Sequence, residues 1–565
     1  MQALEETIER ERERHRVPGV AVAVVRGGEV LLSRGFGLRD VAGGLEVTPQ
    51  TLFAIGSATK AFTTALAGTL VDEGKLDWDR PVRHYLPGFR MYDPVATEHL
   101  NVRDLLCHRS GLPRHDLVWY GNETLTKAQV VERLRYLEPN KTFREAWQYN
   151  NLMYLTAGHL CAELSGMSWE DAVRTRLLEP LGMGNTNFSV RECEAAADHA
   201  TPYQEQKDEI SPMPFRGLDL AGPAGSINSC IEDLTSWAVL NVNGGKLGDR
   251  QIVSEAALKV IQSPAMVTPE GGELWPEYYE TGYALGWFLR SYRGYKVLHH
   301  GGNIDGFSAM VSLLPSHRIG VVVLTNRNVT PLRDVIPFLV YDHLLELAPI
   351  DWGERHDTLY KAMFGGLREA ADLRRESRKN APPSHPLADY GGRYHHPGYG
   401  DLLVGVEDEA RLVPHYNNLD VTAEHVHFDV WELEIADSEL PSAIQAVFRT
   451  GADGAISAVE VNLEPAVDPI VFEKQAAEDL SSREVLSRYE GRYAMGPLTA
   501  AVELQADGRL TVELVGQGRA VLLPAQERSF KVEGQPALSV EFAAGVSGAI
   551  EKMVVQPVGV FTKEG

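Results

Sequence analysis

The stretch FAIGSATKAFTTALAGTLVDEG, residues 53–74, places a serine and a lysine at the start of a very apolar predicted helix. Apolar residues follow Lys60 in nearly every direction around the helix axis, which is typical of a central helix rather than a surface helix. Gly74 predicts the end of that helix. Since lysine is almost never fully buried without a partner, Lys60 either reaches solvent or takes part in chemistry.

Ser57 precedes Lys60 by one helical turn, so the serine hydroxyl and the lysine amine are expected to meet. A serine at a helix start is common for structural reasons alone, and an SxxK spacing also arises by chance. Burial and the helix dipole, however, both disfavour the charged amine, and a neutral amine can accept the serine proton. Ser57 and Lys60 are therefore a candidate nucleophile and general base.

Composition and charge exclude several kinds of partner. The 565 residues predict two to four domains, and the net charge of -24 without a basic stripe argues against nucleic acid. The four cysteines show no CxxC spacing, so neither a disulfide framework nor a metal site is predicted. Histidines at 425 and 427 alternate on a predicted strand and are interpreted as exposed. No cofactor motif is present.

The N-terminal residues 1–19 form a charged predicted helix without an apolar centre, which is not a signal peptide. No apolar run is long enough to span a membrane. We therefore expect a cytoplasmic protein without membrane contact, with a leader removed before residue 1 as the alternative. Assembly into a homo-oligomer is left open by the sequence.

Strands from both ends of residues 1–350 flank a helical region, which predicts an α+β domain with an antiparallel sheet and a helical cluster. Residues 20–36 form a predicted β-hairpin, helical patterns dominate residues 57–181, and strands return at residues 307–326. A charged helical linker is expected over residues 351–384, where the segment APPSHP cannot continue a helix.

A five-residue repeat divides the remaining chain. YGGRY at residues 390–394 recurs as YEGRY at residues 489–493, which is 99 residues later. A chance match is one interpretation, but both copies are followed by alternating apolar and polar residues. We therefore predict two related all-β modules, residues 385–475 and 476–565, each a small antiparallel barrel.

Two further stretches carry residue types that the chemistry at Ser57 needs. Tyr149 and Asn151 stand just before an amphipathic helix, and His300, Gly301 and Gly302 lie on or beside a predicted strand. A tyrosine near a lysine can relay protons, an amide can hold a carbonyl, and paired glycines allow close approach of a substrate to the backbone. A helix cap and a glycine-rich turn are the structural alternatives, and each motif alone is weak.

The order SxxK, YxN and HGG resembles that of the serine β-lactamase and penicillin-binding-protein superfamily, in its class C branch. Segments at residues 101–116, 179–183 and 221–238 agree, and the resemblance spans roughly residues 10–345. It implies that Ser57 is acylated, that Lys60 is its base and that Tyr149 relays the proton. It further implies that Asn151 contacts substrate, and that backbone N–H groups of Ser57 and Asn303 form the oxyanion hole.

One departure concerns the third motif, which has His300 where class C β-lactamases carry lysine. Histidine there resembles D-aminopeptidase-type serine peptidases, which also carry C-terminal lipocalin-like barrels. The resemblance implies a peptidase or amidase, possibly for D-amino-acid peptides or amides, rather than an enzyme for β-lactam carboxylates. It implies a small peptide, amide or ester as substrate. We expect His300 to titrate near neutrality.

Two alternatives remain at this stage. One is a carboxylic ester hydrolase of the same superfamily, and the other is a non-catalytic binding or sensor protein. The intact Ser57, Lys60 and Tyr149 argue against the second alternative. Because all three motifs precede residue 310, we also expect the barrels to shape access to the site without being needed for bond cleavage.

Overall fold

The computed structural model consists of two compact units, residues 1–474 and 475–565. It describes residues 1–206, 209–269, 275–376, 378, 381–408, 411–436, 444–475, 480, 482–514, 518–526, 528–535, 538–545 and 549–564. Within these ranges no helix is both long and apolar enough to cross a membrane. Nor do they hold a group of three or more His, Cys, Asp or Glu side chains suited to a metal ion.

The helices of the first unit lie mainly between the strands of its N- and C-terminal parts, and one short helix belongs to the second unit. They are α1 (Gln2–Arg14), α2 (Thr59–Asp72), α3 (Val82–Tyr85), α4 (Pro94–His99), α5 (Val102–Leu106), α6 (Lys127–Arg133), α7 (Asn151–Ser165), α8 (Trp169–Val173), α9 (Glu179–Leu181), α10 (Val190–Ala195), α11 (Gly222–Gly225), α12 (Ile231–Val242), α13 (Glu255–Ile261), α14 (Leu332–Leu344), α15 (Trp352–Glu376), α16 (Leu387–Tyr390) and α17 (Arg483–Ser487).

The strands of the α+β part form one eight-stranded antiparallel sheet and three short two-stranded pairs. They are β1 (Gly19–Arg26), β2 (Glu29–Asp40), β3 (Leu45–Glu46), β4 (Phe53–Ala54), β5 (Tyr203–Gln206), β6 (Glu209–Pro212), β7 (Asn228–Ser229), β8 (Lys246–Leu247), β9 (Arg250–Gln251), β10 (Tyr278–Tyr283), β11 (Phe288–Tyr292), β12 (Tyr295–Ile304), β13 (Phe307–Leu314) and β14 (Ile319–Thr325). The large sheet has the order β10-β11-β12-β13-β14-β1-β2-β3.

The large sheet joins the two ends of this part of the chain, as the sequence predicts. Strand β1 pairs with β14 on one side and with β2 on the other, so that Val22 lies opposite both Val323 and Arg34. Helix α2 lies in the core, where every residue from Thr59 to Leu70 is buried. This burial confirms the prediction of a central helix and leaves the amine of Lys60 without access to solvent.

Two closed eight-stranded barrels follow, which confirms the predicted all-β modules. The first contains β15 (Gly392–His396), β16 (Gly400–Glu407), β17 (Arg411–Tyr416), β18 (Leu419–His427), β19 (Val430–Ile435), β20 (Ile444–Thr450), β21 (Ile456–Val461) and β22 (Ile470–Lys474). The second contains β23 (Gly491–Met495), β24 (Leu498–Leu504), β25 (Leu510–Leu514), β26 (Gly518–Gln526), β27 (Ser529–Val532), β28 (Ser539–Ala544), β29 (Ile550–Gln556) and β30 (Gly559–Lys563).

The first barrel belongs to the same compact unit as the α+β part. One apolar core runs through both of them and includes Leu152 of α7 and Phe472 of β22. The boundaries expected at residues 350, 384 and 475 stay a prediction of domain organisation, because the unit 1–474 contains the first two.

Candidate active site

The predicted nucleophile and base meet at the start of α2. Ser57 lies in a single 3₁₀ turn, Gly56–Ala58, directly before the helix. The Nζ atom of Lys60 lies 3.0 Å from Ser57 Oγ, 2.7 Å from Asn151 Oδ1 and 2.9 Å from the carbonyl oxygen of Ala224. The lysine side chain is fully buried, so these three polar contacts replace the water that it loses on folding.

The surroundings of Lys60 favour its neutral form. Burial is the largest influence and lowers the pKa of Lys60 well below its usual range, the positive charge of Arg114 lowers it further, and Asp116 opposes them. A neutral amine keeps two N–H bonds and one lone pair. With the two N–H bonds donated to Asn151 Oδ1 and Ala224 O, the lone pair faces Ser57 Oγ and is able to accept its proton.

Tyr149 lies partly exposed on the other side of Lys60, with Nζ of the lysine 4.7 Å from the centre of its ring. Loss of surrounding water raises the pKa of Tyr149, and a hydrogen bond with the Ser57 hydroxyl opposes that rise. The phenol therefore keeps its proton at neutral pH. A protonated phenol next to both Ser57 and Lys60 is suited to donate that proton and to regain one from the lysine.

Asn151 begins α7 and is buried, and both ends of its amide are engaged. Its Oδ1 accepts from Lys60, while Nδ2 donates to Asp116 Oδ1 at 2.9 Å. Of the Asn151 amide, the second N–H bond of Nδ2 remains to make the predicted contact with a substrate carbonyl. The observed contacts give Asn151 a further task, because they orient the amine of Lys60.

Arg114 and Asp116 are the site residues that the sequence did not reveal. Arg114 Nε lies 2.6 Å from Asp116 Oδ2, and its guanidinium carbon lies 5.2 Å from the centre of the Tyr149 ring. Asp116 also accepts from the indole N–H of Trp119 at 2.9 Å. The sequence offered one signal for them, namely two opposite charges two residues apart in a loop with Gly and Pro. That pattern is also common on surfaces without a function.

His300 is buried on β12, and the structure corrects the expectation that it titrates near neutrality. Its Nε2 lies 3.0 Å from the hydroxyl of Tyr283, and its Nδ1 lies 2.7 Å from the carbonyl oxygen of Gly301. Burial is the largest influence and lowers the pKa of His300 well below its usual range, and Lys60 lowers it further whenever its amine is charged. The imidazole is therefore neutral at pH 7 and cannot replace the charge of a lysine.

The glycines at residues 56 and 302 allow β12 to pass directly against the turn that carries Ser57. A Cβ atom at Gly302 would overlap the carbonyl oxygen of Ile55 and lie 2.8 Å from the backbone nitrogen of Ser57. A Cβ atom at Gly56 would lie 3.1 Å from the backbone nitrogen of Asn303. Because residues 56 and 302 lack side chains, the backbone nitrogens of Ser57 and Asn303 lie on two closely packed segments. An oxyanion hole needs two N–H groups near each other, so the predicted pair stays a proposal that this packing permits.

Strand β12 also has the register that this arrangement needs. Its ladder with β11 ends at His299, whereas its ladder with β13 continues to the pair of Ile304 and Phe307. The segment 300–304 therefore lies beyond the end of β11, where it packs against the turn at Ser57. The structure thus brings Lys60, Tyr149 and Asn151 together with Ser57, and it packs Gly302 and Asn303 against the turn that carries the serine. His300 and Gly301 precede these two residues on the same strand.

Known proteins resemble the chain over most of its length. An unguisins hydrolase, ungD', of Aspergillus campestris (strain IBT 28561) is 29% identical over 490 residues, which are 82% of this chain and 89% of that protein. Protein flp of Staphylococcus aureus (strain N315) is 28% identical over 352 residues, covering 61% of this chain and 65% of that protein.

Solved structures share the fold. An octameric penicillin-binding protein homologue from Pyrococcus abyssi matches with a TM-score of 0.53 and 21% identity, over 92% of this chain and 99% of its own. A class C beta lactamase from Rhodobacter sphaeroides matches with a TM-score of 0.50 and 24% identity, over 61% of this chain and 100% of its own.

Family models account for both parts of the first unit. The model DUF3471, a domain of unknown function, matches residues 376–474 and thus the first barrel. The Beta-lactamase family model matches residues 4–344, which are more than half of the chain and include every residue of the site described above. The chain belongs to the Beta-lactamase family, whose members are serine hydrolases.

Proposed function

We propose that the protein is a peptidase or amidase that forms an acyl-enzyme on Ser57 and acts in the manner of an aminopeptidase, including on substrates with D-amino acids. The observation that carries this proposal is the buried amine of Lys60, which lies 3.0 Å from Ser57 Oγ in surroundings that disfavour its charged form. The relative from Aspergillus campestris, named as a hydrolase of unguisins, supports hydrolysis as the general activity.

In the acylation step, Ser57 Oγ attacks the carbonyl carbon of the substrate and its proton passes to Lys60 Nζ. The negative charge that develops on the carbonyl oxygen is stabilised by the backbone N–H groups of Ser57 and Asn303. The bond to the leaving amine then breaks as Tyr149 donates a proton to the amine nitrogen. Lys60 returns its proton to Tyr149, which restores both groups.

In the second step, water takes the place of the amine and attacks the acyl carbon, and its proton passes along the same groups in reverse. Ser57 then leaves with a proton and the acid product is free. An amine is a poor leaving group unless it is protonated, so amide hydrolysis needs a proton donor such as Tyr149, which keeps its proton at neutral pH. No cationic side chain in the third motif binds a substrate carboxylate, since His300 is neutral.

Labelling with a fluorophosphonate probe tests the nucleophile. We expect the probe to modify Ser57 alone, as found by peptide mass spectrometry, and Ser57→Ala to lose both the label and the activity. Lys60→Ala and Tyr149→Phe should each lower kcat by about 10²-fold or more while the fold is retained in circular dichroism. Lys75→Ala is the matched control, because it removes an exposed lysine just beyond the other end of α2.

A substrate panel tests the class of bond. We expect hydrolysis of amino-acid amides and short peptides, with D- and L-forms compared, to exceed that of matched p-nitrophenyl esters relative to their uncatalysed rates. Preference for esters alone would reassign the protein to the ester hydrolases. Full activity of Ser57→Ala would overturn the mechanism. Homo-oligomeric assembly stays a prediction, which light scattering of the purified protein checks.

A further inference from the structure

We propose that the first barrel, residues 392–474, clamps the loop of residues 113–122 and thereby holds Arg114 and Asp116 against the catalytic groups. We call residues 113–122 the clamp loop. This inference rests on the proposed acyl-enzyme function of Ser57. It gives a catalytic task to a barrel that the sequence alone suggests is dispensable for bond cleavage.

One face of the clamp loop is bonded to the catalytic groups. Asp116 accepts from Nδ2 of Asn151 at 2.9 Å, which leaves Oδ1 of the same amide for Lys60 at 2.7 Å. Because a carboxylate only accepts hydrogen bonds, Asp116 fixes which end of the Asn151 amide faces the lysine. Arg114 is paired with Asp116, and its guanidinium group lies over the Tyr149 ring. The position of this loop therefore sets the orientation and charge balance at Lys60.

The opposite face of the clamp loop is bonded to the turn between β17 and β18 of the barrel. The hydroxyl of Tyr416 donates to the carbonyl oxygen of Leu117 at 2.9 Å, and Nδ2 of Asn417 donates to that same oxygen at 3.0 Å. Nδ2 of Asn417 also donates to the carbonyl oxygen of Tyr120 at 3.0 Å. The backbone N–H of Asn418 reaches the carbonyl oxygen of Gly121 at 2.7 Å.

His115 attaches the loop to the barrel at a second place. It is fully buried, and its φ of 47° is in the left-handed region. Its backbone N–H donates to Glu464 Oε2 at 2.7 Å, and its ring Nδ1 lies 2.7 Å from the hydroxyl of Tyr399. Both partners belong to the barrel, so a strained backbone position next to Arg114 and Asp116 is held by barrel side chains.

Apolar packing adds to these hydrogen bonds. The side chain of Leu117 lines a small apolar cavity of about 20 Å³ together with Tyr416, Leu419 and Phe472 of the barrel. Leu117 thus contributes to the core of the barrel although it belongs to the α+β part of the chain. Apart from the short turn Asp116–Val118, the clamp loop has no regular secondary structure. Its conformation therefore depends on these tertiary contacts.

A pair of double variants tests the clamp. Tyr416→Phe with Asn417→Gly removes four side-chain hydrogen bonds to the loop, the fourth being the one that Nδ2 of Asn122 donates to Asn417 Oδ1. Glycine keeps the backbone at Asn417, whose φ is 51°. The control is Tyr394→Phe with Asp408→Gly in the same barrel, which also removes one buried tyrosine hydroxyl and one residue with a φ of 50°. Neither control residue bonds the clamp loop through a contact described above.

We expect the clamp variant to exchange the backbone amides of residues 113–122 faster in mass spectrometry. Its kcat should fall by about 10-fold or more with a smaller change in KM, because the catalytic groups rather than the binding surface are displaced. The control variant should keep wild-type exchange in this segment and wild-type kcat. The labelling rate of Ser57 by a fluorophosphonate should follow kcat.

Unchanged exchange in the clamp loop would overturn the proposal, as would faster exchange with unchanged kcat. An equal loss of kcat in both double variants would also overturn it, because general weakening of the barrel would then explain the effect. Wild-type enzyme without label on Ser57 would overturn the proposed function itself and this inference with it. That result is distinct from failure of the clamp alone, in which wild type is labelled normally.

Discussion

The two barrels repeat the same internal geometry. In the first, the hydroxyl of Tyr394 donates to the carbonyl oxygen of Tyr390 at 2.7 Å, and in the second Tyr493 donates to Tyr489 at 2.8 Å. A lysine of the last strand lies over the ring in each case, with its Nζ atom 5.6 Å from the ring centre in both barrels. The repeated YxGRY motif therefore marks a packing unit that closes each barrel.

The barrels differ in the sequence that directly follows their third strand. The first reads YNNL at residues 416–419, where three residues bond the clamp loop. The corresponding sequence of the second reads VGQG at residues 515–518, of which 515–517 lie outside the described residues. The closing tyrosine therefore maintains the fold of each barrel, whereas the residues after the third strand are free to acquire a separate function.

Removal of each barrel should give the largest contrast between them. A chain that ends after Lys474 lacks the second barrel, and we expect it to hydrolyse a small ester or amide within a few-fold of the full chain. A chain that ends near residue 380 lacks both barrels and the partners of the clamp loop. We expect its kcat to fall by about 10²-fold, because Asp116 and Asn151 lose their fixed geometry.

This expectation revises the one from sequence, which was that both barrels are dispensable for bond cleavage. Circular dichroism and labelling of Ser57 check that each shortened chain folds. Wild-type kcat in a folded chain ending near residue 380 would show that the clamp loop holds its position without the barrel. A large loss in the chain ending after Lys474 would instead remove the functional difference between the two barrels.

The parts of the site that the sequence predicts are those fixed by local spacing or by motif. The contact between Ser57 and Lys60 follows from a separation of one helical turn, and burial of the lysine follows from the apolar residues around it. Tyr149 and Gly302 were found through short motifs in a fixed order. The central helix and the antiparallel sheet could be predicted for the same reason, because the periodicity of hydrophobic residues and the turn residues are local features of the sequence.

The parts that the sequence does not predict depend on contacts between distant segments. Leu117 and Asn417 meet although some 300 residues separate them in the chain, and neither residue type indicates the other. The expectation that His300 titrates near neutrality failed because burial lowers its pKa. That burial is a property of the folded molecule and cannot be read from the sequence around the residue. The roles of Arg114 and Asp116 were missed because a pair of opposite charges in a loop usually lies on a solvated surface.

A second contrast lies within the clamp loop, between the two charges that it holds near Lys60. Arg114 lowers the pKa of Lys60 and Asp116 raises it. Since the base must be neutral, activity is lost as the pH falls through the pKa of Lys60. Arg114→Gln should therefore move the acidic limb of the kcat/KM profile to higher pH, and Asp116→Asn should move it to lower pH.

The size of the shift of the acidic limb, and its assignment to Lys60, depend on the other groups that face this lysine. These are Ser57, His108, Tyr149, Tyr154, Asn151 and His300. Burial lowers the pKa values of both histidines below their usual range. Both rings therefore stay neutral at the pH where a free histidine titrates, and they do not produce an acidic limb there. At the pH optimum we expect Arg114→Gln to lower kcat/KM by about tenfold or less. Shifts in the same direction for both variants would refute control of Lys60 by this pair of charges.

The smallest expected effect tests the shared geometry of the barrels. Tyr394→Phe and Tyr493→Phe each remove one buried hydroxyl and leave a backbone carbonyl without that donor. We expect each to lower the free energy of unfolding of its own barrel by about 1 kcal/mol. Because all nine tryptophans precede residue 475, fluorescence reports only on the first unit, and amide hydrogen exchange is the suitable measurement for both barrels.

Exchange should accelerate in residues 391–396 for Tyr394→Phe and in residues 490–495 for Tyr493→Phe, with kcat unchanged in both variants. Equal effects would show that the repeated motif has the same energetic weight in both copies, so that only the turn at Tyr416 distinguishes the first barrel in catalysis. A change of kcat in Tyr394→Phe would contradict this separation. It would mean that closure of the barrel and its hold on the clamp loop are coupled through the same apolar core, since Tyr394 and Tyr416 both belong to it.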